Sequence, residues 1–177
     1  MKKQGTYIIL IFIFLSGSSI AFAQSGGQAG AFSRMGFGPR GMAMGNALTA
    51  VTSEGIYSYY NPALAAYART GNQVNLSTAV MSFDRSLNTV NGTFRLPPTG
   101  GITLSLINAN VTNIDGRSID GYDTGTMATH EYQITATLGQ QISDNFSAGV
   151  GINYYISDLH QYLESATTVG LDIVVLY

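Results

Sequence analysis

Along the second half of the chain, apolar residues fall on every other position. From 146 to 155, Phe146, Ala148, Val150, Ile152 and Tyr154 share one parity, while Ser147, Gly149, Gly151, Asn153 and Tyr155 share the other. A period of two places the two sets on opposite faces of a strand. The same rule sets Tyr132, Ile134, Ala136 and Leu138 against Glu131, Gln133, Thr135 and Thr137. It sets Thr167, Val169, Leu171, Ile173, Val175 and Tyr177 against Ala166, Thr168, Gly170, Asp172, Val174 and Leu176. Val90, Gly92, Phe94 and Leu96 oppose Asn91, Thr93 and Arg95, and Ile102, Leu104 and Leu106 oppose Gly101, Thr103 and Ser105. In a sixth run, 72–83, Val74, Leu76 and Val80 share a face but Met81 and Phe83 have the other parity, which predicts a bulge near Ala79.

Alternation of this kind also fits a soluble β-sandwich. Composition changes the picture, because only 10% of the residues are charged against about 25% in an ordinary globular chain. The polar faces are built from Ser, Thr, Asn, Gln and Gly, interrupted by Arg95, Glu131 and Asp172. A cationic side chain facing lipid costs about 2–4 kcal/mol at the midplane of a membrane barrel. An uncharged stripe on every strand therefore predicts an all-β, antiparallel transmembrane β-barrel with Arg95, Glu131 and Asp172 turned to the lumen. The soluble sandwich is the alternative.

The N-terminus agrees with export. Lys2 and Lys3 precede an apolar run from Tyr7 to Leu15, and Ala21-Phe22-Ala23 follows a polar stretch, the three parts of a signal peptide cleaved between Ala23 and Gln24. The run is too short to span as a helix, which takes about 20 residues. Cleavage leaves six arginines against ten acidic residues, a net charge of −4, which argues against nucleic acid as a partner. Cysteine is absent, so disulfides, thiolate metal sites and a cysteine nucleophile are excluded.

Residues 24–71 are rich in Gly, Ala and Met without a period of two, and 72–177 carry the strands. Leu96-Pro97-Pro98-Thr99-Gly100 and Gln141-Ile142-Ser143-Asp144-Asn145 are expected as tight turns. The connection Asn108 to His130 is expected as a long loop. Short turns face the periplasm in bacterial barrels and long loops face outward. Single-chain bacterial barrels start at about eight strands, so six require either that the chain is the N-terminal portion of a longer barrel or that 24–71 hides two more strands. The first is the reading adopted.

The segment Gly36-Phe37-Gly38-Pro39-Arg40-Gly41-Met42-Ala43-Met44-Gly45-Asn46-Ala47, then Thr49-Ala50-Val51 and Tyr59-Tyr60-Asn61-Pro62-Ala63, resembles the opening of the PorV/PorQ family of outer-membrane barrels. That family is related to the FadL-type long-chain fatty-acid transporters. Pro39 stands where the family has Ala, and Thr52-Ser53-Glu54 keeps one acid of its usual pair. The resemblance implies an N-terminal hatch inside a barrel that continues beyond 177 residues. Within such a hatch Asn61 suits an N-cap and Pro62 the first helical position, with Ala63 to Ala66 continuing a short helix. Glycines 36, 38, 41 and 45 would pack against the wall, and Arg40 would need Glu54, Glu131 or Asp172 as a carboxylate partner.

His130 and His160 are the only histidines, and no sequence arrangement ties either to a nucleophile. Asp115, Asp120 and Asp123 among glycines suggest calcium, but their spacing misses the EF-hand pattern. Tyr154, Tyr155, Tyr162 and Tyr177 are candidates for interfacial girdles, and Met35, Met42, Met44 and Met81 for gap-filling or an apolar ligand. The expectation is a non-enzymatic outer-membrane protein without cofactor, whose partners are lipid and either exported proteins, as in type IX secretion, or a small hydrophobic ligand.

Overall fold

The computed structural model describes residues 30–52, 58–68, 71–158 and 165–177. The predicted cleavage pair Ala23 and Gln24 lies outside them, as do Glu54, His160 and Tyr162. Six strands follow in order: β1 Gln73–Met81, β2 Arg85–Leu96, β3 Gly100–Arg117, β4 Asp123–Ser143, β5 Phe146–Asp158 and β6 Ala166–Leu176. They form one antiparallel sheet in chain order, with β1 and β6 at its edges. Ahead of it come a 3₁₀ helix Ala31–Met35, the helix α1 Gly38–Ala43 and a second 3₁₀ helix Pro62–Tyr67. The described residues of the N-terminal zone contain no strand.

The register stacks like with like. One row across the sheet reads Leu76, Val90, Leu106, Ile134, Tyr154 and Val169, and an inward row three residues from it reads Gln73, Thr93, Thr103, Thr137, Gly151 and Asp172. Burial then runs opposite to that of a water-soluble sheet. Thr93 and Thr103 are 0% exposed, whereas Leu76 is 74% and Ile173 is 75% exposed. The N-terminal segment covers the polar face: the second 3₁₀ helix packs on β3, β4, β5 and β6, and α1 reaches β1. The apolar face has nothing over it among the described residues. No helix there is long and apolar enough to cross a membrane, which leaves strands untouched as a means of crossing.

Two expectations are corrected. β1 pairs with β2 without a break from Gln73↔Thr93 to Met81↔Arg85, so there is no bulge at Ala79. Met81 simply faces inward, against a buried cluster of Phe32, Leu87 and Ile107, and Phe83 has left the strand for a turn at φ 64°. The change of parity thus marks an apolar patch inside the fold, not a slipped register.

The stretch Asn108 to His130 is mostly strand rather than loop. β2 leaves β3 at Val111 and β5 meets β4 only from His130, so 112–117 and 123–129 pair with each other alone. At about 3.4 Å per residue they form a two-stranded ribbon projecting roughly 20 Å. Its polar, Gly-rich residues pack on nothing else, so neither face needs grease and no alternation betrays the strands. A register shift between Val111 and Ile114 sets it off from the sheet, with Asn113 at φ 54°. Asp84 clamps the root: its carbonyl accepts from Thr112 N at 3.1 Å and its carboxylate from Asn113 Nδ2 at 3.1 Å.

Candidate functional site: the seat of the N-terminal segment

The second 3₁₀ helix begins where its sequence says it should. Asn61 Oδ1 accepts the Ala63 N–H at 2.9 Å, satisfying a donor that the helix leaves free, and Pro62 occupies a first-turn position that needs no N–H. Asn61 Nδ2 donates to the Thr49 carbonyl at 2.9 Å, tying the helix to the segment before it. Asn61 through Ala66 are buried. Their bed is a row of three glycines, Gly101↔Gly139↔Gly149, on adjacent strands. A Cβ at Gly101 would collide with the Ala65 carbonyl oxygen and one at Gly149 with the Ala63 backbone nitrogen. At Gly139 it would stand 2.7 Å from Ala66 N and from the Pro62 carbonyl oxygen. Backbone rests on backbone here, and only glycine on the strands and alanine on the helix allow that approach. Ser58 Oγ donates to Thr103 Oγ1 at 2.7 Å beside the row.

Toward the ribbon end the contacts become polar and aromatic. Tyr60 holds the segment to itself: its hydroxyl accepts from Phe37 N at 2.7 Å and lies 3.0 Å from both Phe37 O and Asn46 Oδ1. Gly36 and Gly41 are small for this reason, since a Cβ would strike Asn46 Oδ1 in one case and the Tyr60 hydroxyl in the other. Tyr59 stacks on Phe37 with ring centroids 4.9 Å apart and donates to Gln133 Oε1 at 3.2 Å. Burial, with smaller contributions from Tyr155 and Tyr60, raises the Tyr59 pKa well above its ordinary value, so it stays a neutral donor. Burial raises that of Tyr60 as well.

The polar chain continues across the sheet. Gln133 Nε2 and Thr135 Oγ1 both donate to Asn153 Oδ1, at 3.2 and 2.7 Å, and Asn153 Nδ2 donates to Asp172 Oδ2 at 2.7 Å. Asp172 is thus the end of a hydrogen-bonded line that starts at Tyr59. Glu131 accepts from Ser157 Oγ at 2.8 Å. Arg40 sits half-buried in α1, Glu131 and Asp172 serve the partners just named, and Glu54 lies outside the described residues. Arg95 faces inward, exposed beside the glycine row, in register with Gly101.

Several expected roles change. Gly36 and Gly41 pack within the segment rather than on the sheet, and Gly38 and Gly45 face open space at φ 71° and 60°. Of the candidate girdle tyrosines, Tyr154 faces outward, but Tyr155 points inward, under Gly30. Met35, Met42 and Met81 pack around the Phe32 cluster, while Met44 is exposed. Asp115 is held by Arg117 at 2.8 Å and Asp123 caps Gly125 N at 2.7 Å. No three of His, Cys, Asp and Glu gather to hold a metal ion among the described residues. His130 Nδ1 bonds Asn110 Oδ1 at 2.8 Å. The glycine row went unread in the sequence, where its only trace is a glycine within four residues of each tight turn, at Gly101, Gly139 and Gly149.

Comparison of the chain with family models, curated proteins and solved structures finds no match. The function is therefore argued from the geometry.

Proposed function

We propose that this is a non-enzymatic outer-membrane β-barrel protein whose N-terminal segment is a hatch seated in the lumen, similar in kind to the PorV/PorQ group, and an accessory of type IX-like protein secretion. The observation that carries the reading is the inverted burial, with threonines sealed inside and leucines bare outside. The outward apolar residues of β5 run from Phe146 to Ile156, about 34 Å along the strand at 3.4 Å per residue and roughly 26 Å after a tilt near 40°. That matches an apolar band of about 25 Å. The belt ends at a polar ladder of Asn88, Asn108, Asn110 and His130 on one side and at Gln140 and the tight turns on the other. No charged residue stands at an outward position between these limits among the described residues. Hydrocarbon does not tolerate unpaired ladder edges, so in this reading further strands cover β1 and β6.

The ribbon favours the secretion role. Its tip is ordered, with Ser118 N and Oγ bonded to Tyr122 at 2.8 and 3.1 Å, and presents Ile119 at 102% and Tyr122 at 74% exposure. An exposed aromatic and aliphatic pair on a projecting element is the kind of anchor that partner proteins bury. Carbonate-washed membranes should retain the processed chain, and its recovery as freely soluble protein would end the proposal. Replacing Ile119 and Tyr122 by serine should lower surface attachment of exported proteins without changing membrane retention. A second reading, passage of small apolar molecules, rests on the Phe32 cluster and its methionines inside an otherwise polar face. It predicts uptake of a labelled fatty acid that the two serine changes leave intact.

A further inference from the structure

At the turn end of the sheet a pocket of about 320 Å³ opens between the end of the second 3₁₀ helix and two turns. Its floor is apolar, from Ala66, Ala68 and Pro98, and opposite charges, Arg95 and Asp144, both line it. The two form no ion pair with each other: the ion pair among the described residues is Arg117 with Asp115. Arg95 uses its backbone N–H, donating to Asn72 Oδ1 at 3.2 Å, and its guanidinium makes no hydrogen bond among the described residues. Asp144 uses its carbonyl, which accepts from Gln141 Nε2 at 3.3 Å, and its carboxylate has no hydrogen-bond partner among the described residues. The walls are fixed independently of either charge. Gln141 N donates to Thr99 O at 2.9 Å, Thr99 Oγ1 to Gln141 O at 3.1 Å, and Gln140 Nε2 to Thr99 Oγ1 at 2.6 Å, which locks the β2–β3 turn to the β4–β5 turn.

A preformed pocket at the small end of ligand-site volumes, about 300–1,000 Å³, with one unspent cation and one unspent anion, suits a ligand carrying both charges. We propose that it binds a small zwitterion of the α-amino-acid class. The carboxylate lies on Arg95, whose planar fork matches it, the ammonium lies toward Asp144, and a short side chain rests on the alanine and proline floor. This site stands on local geometry and does not depend on the secretion reading.

The test is titration of the full chain in detergent with L-alanine, followed by calorimetry or NMR. Saturable binding is expected, and Arg95→Gln and Asp144→Asn should each weaken it about tenfold, the loss of one charge-assisted contact. N-acetylalanine, which lacks the ammonium, and alanine amide, which lacks the carboxylate, should lose a similar factor against the unmodified protein, so the result does not hinge on any variant folding. Acetate binding as well as alanine, affinity unchanged in Arg95→Gln, or no binding of alanine at all would each overturn the proposal.

Discussion

A single methyl group added at Gly149 would be aimed at the backbone of Ala63, which has no flexible end to move aside. Gly149→Ala should therefore lift the second 3₁₀ helix from its bed and destabilise the protein by about 1–3 kcal/mol, the range for overpacking a tight site. Gly92→Ala is the control. Its Cβ would meet only the tip of the Phe94 ring at 3.3 Å on the outward face, so thermal melting should separate the two variants clearly. The tyrosines give a pH signature with a definite sign. Below the ordinary value of 10.0, Tyr59 is protonated whether folded or unfolded and contributes no slope. Above it the unfolded chain releases the proton while the buried hydroxyl keeps its own, so stability falls as pH rises toward the raised folded value. Alkaline unfolding, followed by tyrosinate absorbance, should be shallower in Tyr59→Phe, which has no proton to lose.

At the scale of elements, the second 3₁₀ helix depends on its cap. Asn61→Ala removes both the bond to Ala63 N and the donation to Thr49, and should cost about 1–2 kcal/mol. Asn61→Asp keeps an acceptor for Ala63 but cannot donate to Thr49, so its melting temperature should fall between alanine and wild type. That helix was legible in advance because its start is local chemistry: an Asn side chain, a missing N–H and a run of alanines. The central strands were legible for a similar reason, since each has one face against protein and one against a different medium, and the alternation records the difference. Where an element meets the same surroundings on both sides the record disappears. The ribbon from 112 to 129 is mostly polar, with Ile114 and Met127 a lone apolar cross-strand pair, and reads as loop. Likewise the glycine row is a property of three strands in register, and no single strand carries it. Met81 misled in the opposite sense, because an inward apolar residue looks like a slipped register when the sequence gives no sign that Phe32 waits inside.

For the whole molecule the question is which medium covers the bare face, and one substitution divides the answers. Leu104 lies in the middle row of the outward belt, with Val74, Gly92, Ala136, Ile152 and Leu171, and is 52% exposed. If hydrocarbon covers it, Leu104→Arg places a cation near the midplane and should lower folding stability in vesicles by about 2–4 kcal/mol. Thr78→Arg, at the belt's margin in register with Asn88, should cost no more than about 1 kcal/mol, because the guanidinium reaches the interface. If water covers the same face, both substitutions sit on a solvated surface and should change stability by no more than about 0.5 kcal/mol, with Leu104→Arg reducing aggregation by breaking an apolar patch. Urea unfolding from lipid vesicles reads the difference between the two positions. A depth dependence from Leu104 to Thr78 is the signature of a bilayer, and equal, small effects at both would remove the membrane from the account. The burial pattern argues for the first outcome on energetic grounds. At about 25 cal/mol per Å², a soluble sheet that left the Val, Leu and Ile of six strands in water while sealing its threonines inside would forgo much of the driving force that folds a protein. An apolar covering, which is lipid in the function proposed above, removes that cost.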